Sequence, residues 1–386
     1  MKLKCDKELL LEKISKALMF IPTKTLIPVL DNFLFKVSGT QLEIIANNTE
    51  MQVRIVTQVM ESAHNGSFCI PAKMLVSTLK LLRNPEVTIE VKKKEAAVVC
   101  IIKSGNSKYV LSCDPSESFP EMVAPNAPYE ATFDAKPFRD ALQRAERTTR
   151  DADEFVRVEL TGMEIAMKDH NSSDMFLTST DCIKLSRHRV SPRAVGSWEP
   201  IVISTNVSEA IREMSNDRQV LDLMHDTKKL IVHGDWFFIT AVLINGKFPE
   251  TNQFFDDIPK DEIQLTTFEY RDALERLSIY CSKETGYVME MQMNKDSLLM
   301  STVDVGRNNE GHELLEINCQ SPKVIAVNMK FMLTILSCIE QDSIRMLYSE
   351  PNKALYVYPN IEKPMEAYML MPNFAGPVKT EKKKEA

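Results

Sequence analysis

IVISTNVSEAIREM, from Ile201 to Met214, reads as an apolar strand that runs straight into a capped helix. Ser204 is the turn residue: its short hydroxyl side chain suits an N-cap, and the apolar residues that follow fall three and four apart, the spacing of one helix face. FCIPAKMLVSTLKLL from Phe68 and IAVNMKFMLTILSCI from Ile325 carry the same grammar, with Pro71 and Asn328 opening the helix. These three turn residues lie 133 and 124 residues apart, and SFPEM at Ser118 recurs as KFPET at Lys247, 129 residues on. A period near one third of the 386 residues is too long for a solenoid repeat and right for ordinary domains, so three similar domains in series are predicted.

The pattern on either side of these units fills in each repeat. The first opens with a helix near Asp6 to Leu18, followed by LIPVLDNFLFKV and QLEIIANNTEMQVRIVTQV, which read as half-buried strands. After the Phe68 unit, VTIEVKKKEAAVVCIIKS and KYVLSCD read as antiparallel strands, with Lys92 to Lys94 at a hairpin tip. The proline-rich stretch from Ser116 to Pro128 is a linker. The second repeat starts with a strand at Tyr129 to Phe133 and a helix capped by Asp134. The third runs from Ile263 with the helix FEYRDALERLSIYC. Each repeat offers two helices and about eight short strands joined by hairpin-length connections, an α+β fold with antiparallel sheets. The expected domains are 1–124, 125–255 and 256–376, with the charged stretch 377–386 a disordered tail.

Composition narrows the function. A chain that is 44% hydrophobic buries several cores, and no run resembles a signal peptide or a bilayer span, so a soluble cytoplasmic protein is expected. Cys5, Cys69, Cys100, Cys113, Cys182, Cys281, Cys319 and Cys338 form no CxxC pair and read as reduced core thiols. The net charge of −7 is uneven. Segments 72–84 and 136–150 each carry +3, and the six predicted helices together carry +5, which leaves −12 for the rest. Basic helices in an acidic shell follow, although Lys and Arg on solvated helix faces would give the same count.

Catalytic patterns are missing. There is neither GxGxxG nor GxxxxGK[ST], and 11 glycines are few for a phosphate-cradling loop. The six histidines lack metal spacing, there is no GxSxG elbow, and Cys182 in STDCIKL has no histidine placed by a recognisable motif. No metal, no cofactor and no catalytic residue is expected; three copies of one domain without a catalytic constellation point to geometry. A protein-binding scaffold without a ring is the competing reading, and a hydrolase lacks any motif.

LIPVLDNFLF, LTSTD, INGKFPE and YMLMP, in this order and at these spacings, resemble the bacterial sliding clamp, the β subunit of the replicative DNA polymerase, from Met1 to about Pro372. The sequence departs from the family where Cys182, Ile183, Lys184 and Leu185 stand in place of Gly-His-Arg-Leu, and where NFAGPVKTEKKKEA follows LMP. The resemblance implies a head-to-tail homodimer forming a ring, with helices lining the hole and sheets outside. It implies sequence-independent contact with double-stranded DNA through Lys73, Lys80, Arg83, Arg139, Arg144, Arg147, Arg150 and Arg212, with Lys24 and Arg157 added at the ring face. It places Ile279 and Tyr280 against Tyr109 and Leu111 of the partner subunit's edge strand.

The chain end supplies a partner site. AYMLMPNF sets Met369, Leu370, Met371, Pro372 and Phe374 where a solvated tail would be polar, so part of this apolar surface is expected to stay open as a groove. The resemblance gives its other wall as Leu160, Thr180, Leu185, Pro249 and Phe254, with Asn352 at the rim. Methionines repack around different guests, so the groove suits short linear motifs of the polymerase, the clamp loader and repair proteins.

Overall fold

The three strand-to-helix units form as the spacing predicts, and their capping explains where each helix starts. The Ser204 backbone is extended and its Oγ accepts a hydrogen bond from the Val207 amide at 3.3 Å. Asn328 Oδ1 accepts from the Phe331 amide at 3.1 Å, while its Nδ2 donates to the Gly286 carbonyl. Pro71 opens its helix without a side-chain bond, because a residue at the helix mouth has no amide partner to lose. In this computed structural model, residues 1–94, 97–151, 157–168 and 174–373 are described. The tail predicted at 377–386, and Phe374, lie outside them.

The helices are α1 (Lys7–Ala17), α2 (Ala72–Leu81), α3 (Ala135–Glu146), α4 (Thr205–Met214), α5 (Thr267–Ser278) and α6 (Met329–Leu336), two for each predicted repeat. Several are shorter than the periodicity suggests. Helix α3 stops at Glu146, not at 150, because Thr148 and Thr149 turn their hydroxyls onto the Ala145 and Glu146 carbonyls. Thr148 then joins Ser179 and Ser186 in a buried hydroxyl cluster. Helix α2 stops at Leu81: Leu82 is already extended and Pro85 follows.

By their contacts the residues gather into two units, Met1–Asp140 with Ser191–Ile244, and Ala141–Val190 with Asn245–Ala386. The first holds two antiparallel sheets. One has five strands, Glu61–Ala63, Lys2–Asp6, Glu86–Lys94, Ala97–Ser104 and Ser107–Cys113, in that spatial order. The other has nine and passes from the second repeat into the first where Phe237–Val242 pairs with Met51–Gln58, Ile239 opposite Val53.

The second unit repeats this device. Gly162–Met167, Met175–Thr180 and Lys184–Val190 continue into Glu366–Leu370, Leu355–Pro359, Ser343–Tyr348 and Asp261–Thr266, with Leu185 opposite Met369 at the join. A separate sheet orders Asn309–Glu316, Ser297–Asp304, Val288–Met293 and Lys323–Asn328. Its core packs α5 and α6 through Tyr270, Leu274, Leu277, Met332, Ile335 and Leu336, all buried. Each such aliphatic or aromatic side chain contributes about 1.5–3 kcal/mol by leaving water.

Candidate nucleic-acid interface and partner groove

Helix α2 shows how one helix separates core from cation. Ala72, Leu75, Val76 and Leu79 are buried on one face, and Lys73, Ser77 and Lys80 recur on the exposed one. Lys73, Lys80 and Arg83 are exposed and form no ion pair among the described residues. Arg83 lies beyond the helix end. Lys24 is exposed on the loop that also presents Leu26 to solvent.

The cations of the second repeat divide by role. Arg139 donates from Nε to the Arg212 carbonyl at 3.1 Å and pairs with Asp217, which Lys136 also approaches. Arg212 is half-buried on α4. Arg147 is exposed past the end of α3 and donates to Ser337 Oγ at 3.0 Å; Arg150, half-buried, donates its amide to the Leu160 carbonyl. Arg147 and Arg150 meet Lys184 and Lys330 around a cavity of about 630 Å³ beside Cys182 and Ile183. Arg157 is exposed, paired with Glu159 and bonded to the Lys247 carbonyl.

Arg144 does not fit the expected pattern. Its guanidinium reaches Glu366 at 2.7 Å and Glu340 at 3.1 Å. Glu366, only 5% exposed, also accepts from Tyr368 at 3.1 Å and lies 3.6 Å from His188 Nδ1. Burial by itself would push the Glu366 carboxyl up, but the His188 and Tyr368 hydrogen bonds and the Arg144 charge together hold it below the usual carboxylate range. Arg144 thus neutralises a buried carboxylate, because an unpaired one would be costly there.

The turn Asp181–Lys184 is tightly tied. Asp181 Oδ1 accepts from the Ile183 and Lys184 amides, and Thr180 Oγ1 accepts from the Cys182 amide while donating to the Lys184 carbonyl. Cys182 sits at φ 75°, the left-handed region where the family's usual glycine carries no steric cost. Cys182 is exposed and the other seven cysteines are buried.

Next to this turn, Leu185, Tyr356 and Met369 form a buried apolar cluster, with Phe255, Leu347, Tyr358 and Met371 packed on it. Above it opens a cavity of about 400 Å³ lined by Phe254, Asn352, Ala354, Tyr356, Pro259 and Met371. The structure therefore brings Phe254, Asn352 and Met371 together as cavity wall, with Leu185 and Met369 in the layer beneath. Leu370 faces the other way, fully buried in the core of the third repeat, because neighbours on a strand point to opposite faces. Leu160 and Thr180 are buried, Pro249 is half-buried and Pro372 buried; none of the four lines the cavity. Tyr356, whose hydroxyl donates to the Phe254 carbonyl at 2.6 Å, escaped the sequence reading. The alternation in ALYVYP carries its signal, since Tyr356 and Tyr358 fall on one face.

At the proposed dimer contacts, Ile279 is 76% exposed at the end of α5 and Tyr280 is also exposed. Tyr280 packs over Gly311 of the edge strand Asn309–Glu316, where a Cβ would come within 3.3 Å of the ring. Tyr109 is exposed on the edge strand Ser107–Cys113. Leu111, at 9%, is core instead, and Val110 is the second exposed apolar residue of that edge.

Known proteins resemble this chain along nearly its full length. The family model of the DNA polymerase III beta subunit, N-terminal domain, matches residues 1–123, and that of its C-terminal domain matches 257–373. The beta sliding clamp of Haemophilus influenzae is 22% identical over 380 residues, covering 96% of this chain and 99% of that protein. The crystal structure of the DNA polymerase III subunit beta from Pseudomonas aeruginosa superposes with a TM-score of 0.88 at 20% identity, over 97% of this chain and all of that one. The sliding clamp from Bacillus subtilis gives 0.87 at 16% identity, over 97% of this chain. Low identity with a retained fold is what a repeated core of interchangeable aliphatic residues allows. With its first and last repeats both matched by domains of one family, the chain belongs to the bacterial DNA polymerase III β-subunit, or sliding clamp, family.

Proposed function

We propose that this chain is a DNA sliding clamp, a non-catalytic cytoplasmic processivity factor. Two copies close head to tail into a ring around duplex DNA, built from clamp domains at 1–124, 125–255 and 256–376. Among the described residues no helix is long and apolar enough to cross a membrane. The observation that carries the reading is the exposed cationic face of Lys73, Lys80 and Arg83, unpaired among the described residues in a chain of net charge −7. Such a face suits phosphates met without fixed base contacts, which sliding requires. By the family resemblance Arg139, Arg147, Arg150 and Arg212 are further phosphate contacts, with Lys24 and Arg157 added at the ring face.

Closure is read from the two exposed sheet edges, Ser107–Cys113 and Asn309–Glu316, with Ile279 and Tyr280 beside the second. The cavity walled by Phe254, Asn352 and Met371 is read as the dock for linear motifs of the polymerase, the clamp loader and repair proteins. The test is retention on DNA circles after loading. The protein should stay on closed circles at moderate salt and be lost when they are linearised. Equal retention on both forms overturns topological binding. Changing Lys73, Lys80 and Arg83 to Ala should lower the slope of log affinity against log salt on linear duplex by about three.

A further inference from the structure

A second cavity, of about 360 Å³, opens on the same sheet face as the groove. Its walls include Phe176, Phe255, Tyr358 and Met365, and its cations are Lys168, Arg187 and Arg189. The two cavities share the turn Asn252–Phe255: Phe254 lines one and Phe255 the other. They also share strands. Tyr356 faces the groove and Tyr358 the second cavity, and Met371 and Ala367 do likewise. At a strand rise of roughly 3.3 Å per residue, these pairs put the cavities about 7–13 Å apart.

The chemistry of the second cavity differs from that of the groove. The Phe255 ring lies 4.1 Å from the Arg187 guanidinium, and Phe176 lies at 5.4 Å. A stacked guanidinium keeps its in-plane N–H groups for an acceptor. One of these, Nη2, donates to Thr251 at 2.7 Å. Among the described residues the buried Arg187 Nε and the buried Tyr358 hydroxyl have no hydrogen-bond partner. Lys168 is exposed at the rim, with no side-chain partner among the described residues. Arg189 holds Asp174, and Glu366 is committed to Arg144; Asp256 is the exposed carboxylate among the lining residues. Glu164, Glu250 and Asp256 already act on the buried Arg187 charge, so the cation left for a ligand is Lys168 at the rim, and beside the aromatic walls it suits a carboxylate carried on a chain.

We propose that this cavity is a second recognition pocket of the partner site, taking an Asp or Glu side chain that lies two to four residues from the apolar residues docked in the groove. Lys168 meets that carboxylate at the rim, and Arg187 and Tyr358 lie deeper in the wall. The inference rests on the groove reading. It makes this clamp's partner motif longer than the apolar cluster alone, with a charge at fixed spacing.

The test uses the full chain and two fluorescent peptides. One carries an apolar Gln-Leu-type core extended on both sides by Glu residues two to four positions away; the other has Ala in their place. By fluorescence anisotropy at low salt, the Glu peptide should bind about tenfold tighter, the advantage of a partly desolvated charge-assisted contact. Lys168→Glu should abolish the difference without changing the affinity of the Ala peptide, Lys168→Arg should restore it, and Tyr358→Phe should reduce it. Equal binding of the two peptides to the unaltered protein, or an advantage that survives Lys168→Glu, overturns the second pocket while the groove stands. Failure of both peptides to bind removes the groove and, with it, this inference.

Discussion

Replacing Arg144 by Ala decides whether this residue serves DNA or the fold. The substitution leaves Glu366, 5% exposed, without the cation that lies 2.7 Å from its carboxylate; Tyr368 and His188 remain as its partners. Removing one partner of a buried pair typically costs about 3–5 kcal/mol. The Arg144 side chain is itself 23% exposed, so the lower end applies, about 3 kcal/mol. Replacing both residues, Arg144→Met with Glu366→Met, removes the buried charge along with its partner and should cost less than Arg144→Ala alone. Urea denaturation at pH 7 gives the stabilities, and retention on DNA circles gives the function. The Glu366 carboxyl lies below its unfolded value, so the pair's contribution is present above a pH of about 4.3 and is lost as pH falls through the folded value. A change below about 1 kcal/mol together with a clear loss of DNA retention would refute the structural role and return Arg144 to the DNA face.

Other expectations follow from the same geometry. Phe254→Glu with Met371→Glu, both on the cavity wall, should abolish binding of groove peptides while the dimer and its retention on circles persist; peptide binding that survives would place the groove elsewhere. Ile279→Asp with Tyr280→Asp should give a folded monomer near 43.9 kDa by analytical ultracentrifugation, because both side chains are exposed in the single chain. A dimer of unchanged strength would exclude them from the interface. Burial lowers the His225 pKa to about 4, where the ring stacks on Tyr129 and meets the edge of Trp198. The unfolded chain therefore takes up this proton first, and stability should fall by up to about 3 kcal/mol as pH drops from 6.5 towards 4. His225→Phe should flatten that part of the urea-midpoint profile.

What could be read without coordinates was local or periodic. The strand-cap-helix units at Pro71, Ser204 and Asn328, the threefold recurrence and the antiparallel α+β class depend on neighbours within one turn or one strand, so spacing reveals them. The cationic face of α2 was legible for the same reason, since Lys73 and Lys80 sit out of phase with Leu75, Val76 and Leu79. What needed the tertiary structure involved residues far apart in the chain. Arg144 looks like its neighbours in sequence, and it is Glu366, 222 residues away and buried, that draws its guanidinium inward. Leu111 and Val110 exchange roles because their sheet decides which face is covered. In YMLMP the alternation is plain, yet the sequence does not say that Leu370 turns to the third repeat's core while Met369 and Met371 turn to the groove. Strand periodicity fixes that two faces exist, and only the packing of neighbouring strands and of the Asn252–Phe255 turn determines which one stays open.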